Sequence, residues 1–268
     1  MELNVNIEGI ISIDRFFELT NTCLILREDG KQGTGFFYKV RQKIYCVTNN
    51  HVMAQIDNFT IFYGRRISIQ QNRENYEFDI SLKCSRTINK IINHPNNKID
   101  LCFILLDIND DVFTLTKKNI TNSIRNTFEH LPVQSLYPDI FMRGYPLKNL
   151  TNFAMNRSGS LSTILINEKD IEIHNNICNY ICDTTSIGGY SGAPVFAKLQ
   201  NLNACSATKC IFIGINFADS PEIETVEHNI LMNGLMLQCN MPYFVNSRQG
   251  LIIGGQKILD IENLIDNA

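Results

Sequence analysis

One stretch of the chain combines a serine with the residue types that a sharply turned backbone requires: Gly188-Gly189-Tyr190-Ser191-Gly192-Ala193-Pro194-Val195. Glycine tolerates positive φ angles and close backbone contact, and Pro194 stiffens the exit into an apolar segment. Two interpretations are open: a glycine-rich turn with a surface serine, or a loop that presents Ser191 as a nucleophile. In the second case the amides of Gly189 and Ser191 would form an oxyanion hole, which stabilises the developing negative charge of an attacked carbonyl.

A serine nucleophile requires a histidine base and a group that orients this base. The chain has five histidines, and His51 is the one that directly follows an apolar segment, where a rigid strand end can aim its ring. The other four stand in polar surroundings: His94, His130, His174 and His228. His51 is therefore the predicted base, and a structural histidine at a strand end is the alternative.

The orienting group is predicted to be Asp100, which opens the most hydrophobic segment of the chain, residues 101–106. An unpaired carboxylate in such a position is unfavourable, and a hydrogen bond from a histidine ring removes much of the penalty. Asp79, between Phe78 and Ile80, is the rival candidate.

Short segments rich in Ile, Phe, Tyr and Val indicate the strands that position these residues. The first series comprises 22–27, 35–40, 43–48, 59–69, 76–82 and 101–106, and the second comprises 139–143, 160–166, 171–174, 177–183, 193–197, 211–216 and 231–239. Short strands without alternating helices predict an all-β fold, either barrel or sandwich.

The domain plan is an N-terminal segment, two β-barrels joined by a polar linker, and a C-terminal helix. The N-terminal segment is predicted at 1–20 and the first barrel at 21–110. The linker follows at 111–135, the second barrel at 136–256 and the helix at 257–268. Residues 12–17 predict a short capped helix within the first segment. The terminal helix is predicted from the spacing of Ile258, Ile261, Leu264 and Ile265.

Composition favours neither nucleic acid nor membrane as a partner. The net charge of −3 provides no general attraction to either, and no apolar run approaches the length of a spanning helix. The N-terminus lacks the pattern of a secretory signal, and the nine cysteines form no dense framework. We therefore predict a cytoplasmic protein with free thiols, with secretion by a non-classical route as the alternative.

Two cysteine pairs, Cys178 with Cys182 and Cys205 with Cys210, raise the alternative of a structural zinc site. However, residues four apart in one strand lie about 13 Å apart, so a single metal ion could not easily bind both members of the first pair. Buried free thiols are the preferred interpretation. No metal or organic cofactor is expected.

Six segments together resemble the chymotrypsin-like serine proteases, and most closely the bacterial glutamyl endopeptidase and HtrA branches. They are Gly33-Thr34-Gly35-Phe36, residues 47–52, residues 100–104, Gly144-Tyr145-Pro146, residues 183–196 and residues 213–216. The chain order of histidine, aspartate and serine is that of chymotrypsin. This resemblance implies two six-stranded antiparallel barrels with the active site in the cleft between them.

The resemblance also implies a serine endopeptidase that acts on a protein or peptide substrate. Ser191 would attack the peptide carbonyl, His51 would act as base and then acid, and Asp100 would orient His51. A regulatory protein partner is a further expectation. Two alternatives are a catalytically silent module that binds a peptide or protein in the cleft, and an esterase that uses the same residues.

By the same resemblance, the specificity pocket would be formed by five residues: Thr185, Ser186, Asn216, Phe217 and Asp219. Thr185 at its base is not acidic, so a trypsin-like preference for Arg or Lys is not implied. Glutamyl endopeptidases have a histidine where this chain has Asn216, although Ser186 keeps a hydroxyl group. A neutral polar pocket predicts a small or polar residue before the cleavage site. Tyr190 replaces the aspartate that zymogens use for activation, so that route is not expected.

Overall fold

The computed structural model describes residues 11–70, 73–121, 138–146, 154–162, 170–173, 175–184, 188–199, 209–219, 222–232, 235–245 and 250–267. Most of these residues lie in antiparallel strands. The strands form two large sheets of seven strands each and two separate two-stranded ladders.

The first sheet is built from the first half of the chain. Its strands are β2 (Thr22–Arg27), β3 (Gln32–Val40), β4 (Lys43–Thr48), β5 (Asn58–Gln70), β6 (Arg73–Ser85), β7 (Ile91–Asn93) and β8 (Cys102–Leu106). Their spatial order is β6, β5, β2, β3, β4, β8 and β7. β4 and β8 are therefore neighbours although more than 50 residues separate them, with Thr48 opposite Cys102.

The second sheet is built mainly from the second half of the chain. Its strands are β1 (Ile11–Ser12), β9 (Asp139–Gly144), β10 (Met155–Ser160), β13 (Tyr180–Cys182), β14 (Pro194–Leu199), β15 (Lys209–Asp219) and β18 (Gly250–Gly254). The spatial order is β10, β9, β14, β15, β18 and β13, with β1 paired to β15. The predicted N-terminal segment thus contributes a strand to the second sheet.

The two ladders consist of β11 (Ile171–Ile173) with β12 (Asn176–Cys178), and of β16 (Glu222–Met232) with β17 (Leu235–Val245). Three predicted strands differ from these elements. The predicted strand 160–166 begins at residue 160, where β10 ends, and residues 163–166 lie outside the described residues. The strand 177–183 is divided at the buried Asn179, whose side chain bonds to Gly254 and Asp170. The strand 231–239 spans the end of β16 and the start of β17.

The two sheets share one apolar core. Phe36 of β3 and Phe212 of β15 have ring centroids 5.6 Å apart, and Phe196 of β14 lies 5.7 Å from Phe212. All three rings are buried in the same cluster. Burial of each phenylalanine side chain contributes roughly 1.5–3 kcal/mol. This shared core fixes the sheets relative to each other at the junction where the candidate site lies.

Four helices are described. They are α1 (Arg15–Thr20), α2 (Asn50–Met53), α3 (Lys117–Thr121) and α4 (Gln256–Asp266). Asp14 caps α1 by accepting a hydrogen bond from Phe17 N at 2.8 Å. α4 buries Ile258 and Ile261 in the shared core. Among the described residues, no helix is long and apolar enough to cross a membrane.

The predicted all-β class and C-terminal helix are confirmed. Each sheet has seven strands instead of six. In the second sheet β18 was not predicted, and β10 meets the predicted strand 160–166 only at residue 160. Two further strands that were not predicted are very short. β7 has three residues and β1 has two. Segments of this length cannot show the alternation by which a strand is recognised in a sequence. Most of the predicted linker lies outside the described residues, apart from its first part, which contains α3.

Candidate active site

His51 lies on α2, the short helix that follows β4 directly. Its backbone amide and its ring both face Asp100, which precedes β8. Thr48, the last residue of β4, is paired with Cys102, the first residue of β8. His51 and Asp100 therefore lie at the same end of this strand pair. Strand pairing therefore brings together two side chains that are distant in the sequence.

Asp100 contacts His51 through both carboxylate oxygens. Oδ1 accepts a hydrogen bond from His51 N at 2.9 Å, and Oδ2 lies 2.5 Å from His51 Nδ1. A carboxylate can only accept, so Nδ1 carries the proton and Nε2 of the neutral ring is left as an acceptor. The Asp100 side chain is 14% exposed and that of His51 is 48% exposed, so the His51 ring is half-exposed while Asp100 is mostly covered.

The loop that carries Asp100 is itself fixed to the start of α2. Asn49 Nδ2 donates to the Asp100 carbonyl at 2.8 Å, and Asn50 Nδ2 donates to the Ile99 carbonyl at 3.4 Å. The rival candidate Asp79 lies on β6 with a φ of 60° and lines a cleft with Arg143. It forms no hydrogen bond with His51. The structure thus pairs His51 with Asp100.

Two arginines hold the carbonyl end of α2. Arg27 Nη1 donates to the carbonyl oxygens of His51 at 3.1 Å and Val52 at 2.9 Å. Arg86 donates through Nη2 to the Met53 carbonyl. The last carbonyl groups of a helix lack intrahelical partners and carry partial negative charge, so these cations stabilise the helix that presents His51.

The glycines around Ser191 have the backbone geometry that only glycine adopts readily. Gly189 has a φ of 101° and Gly192 a φ of 85°. A Cβ atom on Gly192 would lie 2.0 Å from Thr34 O and 2.4 Å from Thr48 Oγ1. Gly192 therefore permits the loop that carries Ser191 to approach the first sheet within contact distance.

Thr34 of β3 connects this loop to the first sheet. Thr34 N donates to the Ser191 carbonyl at 2.9 Å, and Thr34 Oγ1 donates to the Gly189 carbonyl at 2.7 Å. Thr48 Oγ1 donates to Thr34 O at 2.8 Å. Since Thr48 is three positions before His51, the nucleophile loop is joined to the segment that carries the base.

The amides of Gly189 and Ser191 donate no hydrogen bond within the described part of the chain. The oxyanion hole predicted at these two amides stays a prediction. The Ser191 hydroxyl and His51 Nε2 likewise form no hydrogen bond with each other or with any other described residue. In free enzymes such bonds are often long, and they shorten when substrate binds.

The predicted pocket residues fall into three groups. Thr185 and Ser186 lie outside the described residues, and so does the side chain of Asp219. Asn216 is fully buried and donates to the Tyr190 carbonyl at 3.2 Å. Phe217 is buried in the shared core. The described side chains of this set thus support the nucleophile loop and the core.

Tyr190, between the two oxyanion-hole candidates, is also buried. Its hydroxyl donates to the Met155 carbonyl at 3.1 Å, and burial raises the pKa of this hydroxyl, so the side chain is neutral. The guanidinium group of Arg157 lies 5.8 Å from the centre of its ring. Tyr190 therefore fixes the loop from the side of the second sheet.

The seven cysteines whose side chains are described are free and buried, namely Cys23, Cys46, Cys84, Cys102, Cys178, Cys182 and Cys210. Cys178 and Cys182 lie on two strands, β12 and β13, that pair with different neighbours. Cys205 lies outside the described residues. No group of three potential metal ligands occurs within the described ranges.

Sequence reasoning missed Thr34, Arg27 and Arg86. The glycines on both sides of Thr34 were a usable signal, because glycine in a strand marks close backbone approach. The arginines had no local signal, since the carbonyl groups they bind lie 24 to 33 residues away.

No family model and no curated protein sequence matches the chain. Several solved structures resemble it. The MamO protease domain from Magnetospirillum magneticum covers 90% of this chain and 95% of its own, at 10% identity and a TM-score of 0.45. Deg5 covers 74% of this chain and 79% of its own, at 16% identity and a TM-score of 0.43.

The HtrA-type protease AlgW, solved with a tripeptide, covers 94% of this chain at 15% identity and a TM-score of 0.49. The present chain spans 61% of the AlgW chain, which is less than two thirds of its length. These similarities concern the fold, and the chemistry of the site rests on the distances given above. With two antiparallel sheets that share one core, the chain is similar in fold to these protease domains.

Proposed function

We propose that the protein is a serine endopeptidase that cleaves a protein substrate through Ser191, His51 and Asp100. The observation that carries the proposal is the two-point contact of Asp100 with His51, beside a loop that is held against the same sheet. The Asp100 contact leaves Nε2 of the half-exposed His51 ring as the proton acceptor that a serine nucleophile requires.

In the proposed reaction, Ser191 Oγ attacks the carbonyl carbon of the scissile peptide bond while its proton moves to His51 Nε2. Asp100 stabilises the resulting imidazolium at Nδ1, and the amides of Gly189 and Ser191 bind the oxyanion. The imidazolium then gives its proton to the leaving amine, and the C–N bond breaks. A water molecule, activated by the same histidine, hydrolyses the acyl-enzyme and regenerates Ser191.

Cleavage of an unstructured protein such as casein tests this proposal. Wild-type protein is expected to release fragments with new N-termini, while Ser191→Ala and His51→Ala are expected to release none. Fragments that form equally with Ser191→Ala would come from a contaminating protease and would contradict the assignment. Hydrolysis of small esters without fragmentation of casein would indicate an esterase.

A second candidate function is a catalytically silent module that binds a peptide or protein at the same site. It is favoured by the lack of a hydrogen bond between the Ser191 hydroxyl and His51 within the described residues. Such a module would bind casein-derived peptides in a calorimetric titration and leave them intact. Cleavage that depends on Ser191 excludes it.

For substrate preference, we propose a small or polar residue before the cleavage site. The support comes from the neutral residue types at Thr185, Ser186 and Asn216. Profiling with a peptide library is expected to show this preference. A strict requirement for Arg or Lys would contradict it, because a cationic side chain needs an acidic partner when it is buried.

We also propose that the protein works in a reducing compartment such as the cytoplasm. The support is that the seven cysteines described are free and buried. Intact-mass measurement after alkylation in denaturant, without reductant, is expected to show nine modified thiols. A mass that corresponds to one or more disulfide bonds would contradict the proposal and would favour the alternative of secretion.

A further inference from the structure

Thr34 uses every polar group that it has at the junction of the two sheets, although its side chain is fully buried. Its hydroxyl donates to the Gly189 carbonyl at 2.7 Å and accepts from Tyr145 N at 2.9 Å. Its amide donates to the Ser191 carbonyl at 2.9 Å. Its own carbonyl accepts from Thr48 Oγ1 at 2.8 Å.

These bonds determine which way the nucleophile loop faces. The carbonyl groups of Gly189 and Ser191 both point at Thr34, while the amides of these two residues have no partner within the described ranges. The next amide, Gly192 N, donates in the opposite direction, to Asn216 O at 2.9 Å. The peptide units 189–190 and 191–192 cannot rotate without breaking the bonds to Thr34, and the Ser191 amide lies in the unit between them.

The surrounding residues are shaped to accommodate Thr34. A Cβ atom on Gly144 would lie 2.8 Å from Thr34 Oγ1, and a Cβ atom on Gly192 would lie 2.0 Å from Thr34 O. Any side chain at either position would displace Thr34 from the loop. Two glycines from the second sheet thus leave room for one threonine of the first.

We propose that the Thr34 hydroxyl is a positioning group that holds the Gly189–Ser191 segment in the orientation that binds the oxyanion. It does not touch the substrate. It acts by fixing the Gly189 carbonyl, whose peptide unit lies between the units that carry the Gly189 and Ser191 amides. The inference rests on the proposed function, because it takes Ser191 as the nucleophile.

The test compares Thr34→Val with Thr34→Ser and Thr20→Val. Valine preserves the shape of threonine and lacks the hydroxyl, whereas serine keeps the hydroxyl. Thr20 is the matched control, because its buried hydroxyl also donates once, to Phe16 O at 2.7 Å, and accepts once, from Phe113 N at 2.9 Å. Thr34→Ala is included as a second variant without the hydroxyl, in case valine does not fold.

Two readouts are measured on folded protein. The first is the rate at which a fluorophosphonate probe labels Ser191, and the second is hydrogen–deuterium exchange of the peptide that covers residues 188–193. Thr34→Val is expected to slow labelling roughly 10- to 100-fold, since a small displacement of an oxyanion donor has effects of this size. It is also expected to speed exchange in the loop. Thr34→Ser and Thr20→Val are expected to resemble the wild type in both.

The positioning role is overturned if Thr34→Val and Thr34→Ala label Ser191 as fast as Thr20→Val does and show unchanged exchange in the loop. Faster exchange with unchanged labelling also overturns it, because the hydroxyl would then have a structural role only. If the wild type takes no label at all, the proposed function fails. Loop exchange in Thr34→Val then decides by itself whether the hydroxyl holds the loop.

Discussion

His51 and Asp100 are held within one sheet, whereas Ser191 is held across two. The base and its partner emerge from neighbouring strands, β4 and β8, and contact each other at two points. The loop that carries Ser191 belongs to the second sheet and takes two hydrogen bonds from Thr34 of the first. The histidine–aspartate pair therefore depends on strand register, and the position of the serine depends on how the sheets pack.

Substitutions in these two regions are therefore expected to affect the candidate site in different ways. A change within the first sheet that keeps the register should alter the chemistry of His51 and leave the nucleophile loop in place. A change where the two sheets meet should instead move Ser191, while the contact between His51 and Asp100 stays intact. Activity and loop exchange, measured together, separate these two effects.

Asp100→Asn is expected to have the largest effect. An asparagine can present an N–H group to His51 Nδ1, which favours the tautomer that cannot accept the serine proton, and kcat is expected to fall by about 10⁴-fold. Exchange of the loop 188–193 should stay at the wild-type level. Asp79→Asn serves as control and should keep near wild-type activity, because Asp79 has no bond to His51. Equal losses in the two variants would contradict the pairing.

Gly192→Ala is expected to disrupt the junction. The positive φ costs about 1–2 kcal/mol for a residue with a Cβ atom, and contact with Thr34 and Thr48 adds about 1–3 kcal/mol. Gly30→Ala is the matched control, since Gly30 has a φ of 79° with no atom within 4 Å of its Cβ position. Chemical denaturation should show a clearly greater loss of unfolding free energy for Gly192→Ala. Similar losses would mean that the close approach does not matter.

Arg27→Gln tests the support of His51 from within the first sheet. Loss of the charged donor to the His51 and Val52 carbonyl groups is expected to lower the unfolding free energy by about 1.5–3 kcal/mol. It should also lower kcat roughly tenfold, through displacement of the base. Arg41→Gln, at an exposed ion pair with Asp266, should change stability by less than about 1 kcal/mol. If both variants behave alike, Arg27 does not position His51.

The smallest effect is expected for the thiols in the core of the first sheet. Cys23 Sγ and Cys46 Sγ lie 3.5 Å apart, and this contact together with burial raises the pKa of the Cys46 thiol. Burial also raises the pKa of the Cys102 thiol. Iodoacetamide at pH 8 should therefore leave Cys46 and Cys102 unmodified in folded protein, because the thiolate is the reactive form. Rapid alkylation of Cys46 would show that the first sheet opens more readily than its packing indicates.

Much of the fold could be predicted because most strands of the first sheet carry dense apolar and aromatic residues between polar turns. β2 and β4 were predicted at the observed bounds, and β3 began only three residues earlier than expected. The long pair β16 and β17 was predicted only as one strand, 231–239, although the sequence has Asn-Gly at 233–234, the strongest short hairpin signal. The strands around this signal mix polar and apolar residues, so their pattern was less evident.

The residues predicted for the candidate site could be found because their types are specific to the chemistry. A serine between glycines, a histidine at a strand end and a carboxylate before an apolar strand each match a role that few residue types can fill. The supporting contacts could not be predicted in this way. Thr34, Arg27 and Arg86 bind backbone carbonyl groups, which every residue possesses, so partner choice depends on the folded geometry alone.

The most direct test of the central claim is to locate the adduct of a fluorophosphonate probe by mass spectrometry. Native wild-type protein is expected to carry a single adduct, on Ser191, because only an activated serine reacts with such a probe. Ser191→Ala and heat-denatured wild type are expected to carry none. Absence of an adduct from the native wild type, or an adduct that persists in either control, would contradict the assignment of Ser191 as an activated nucleophile.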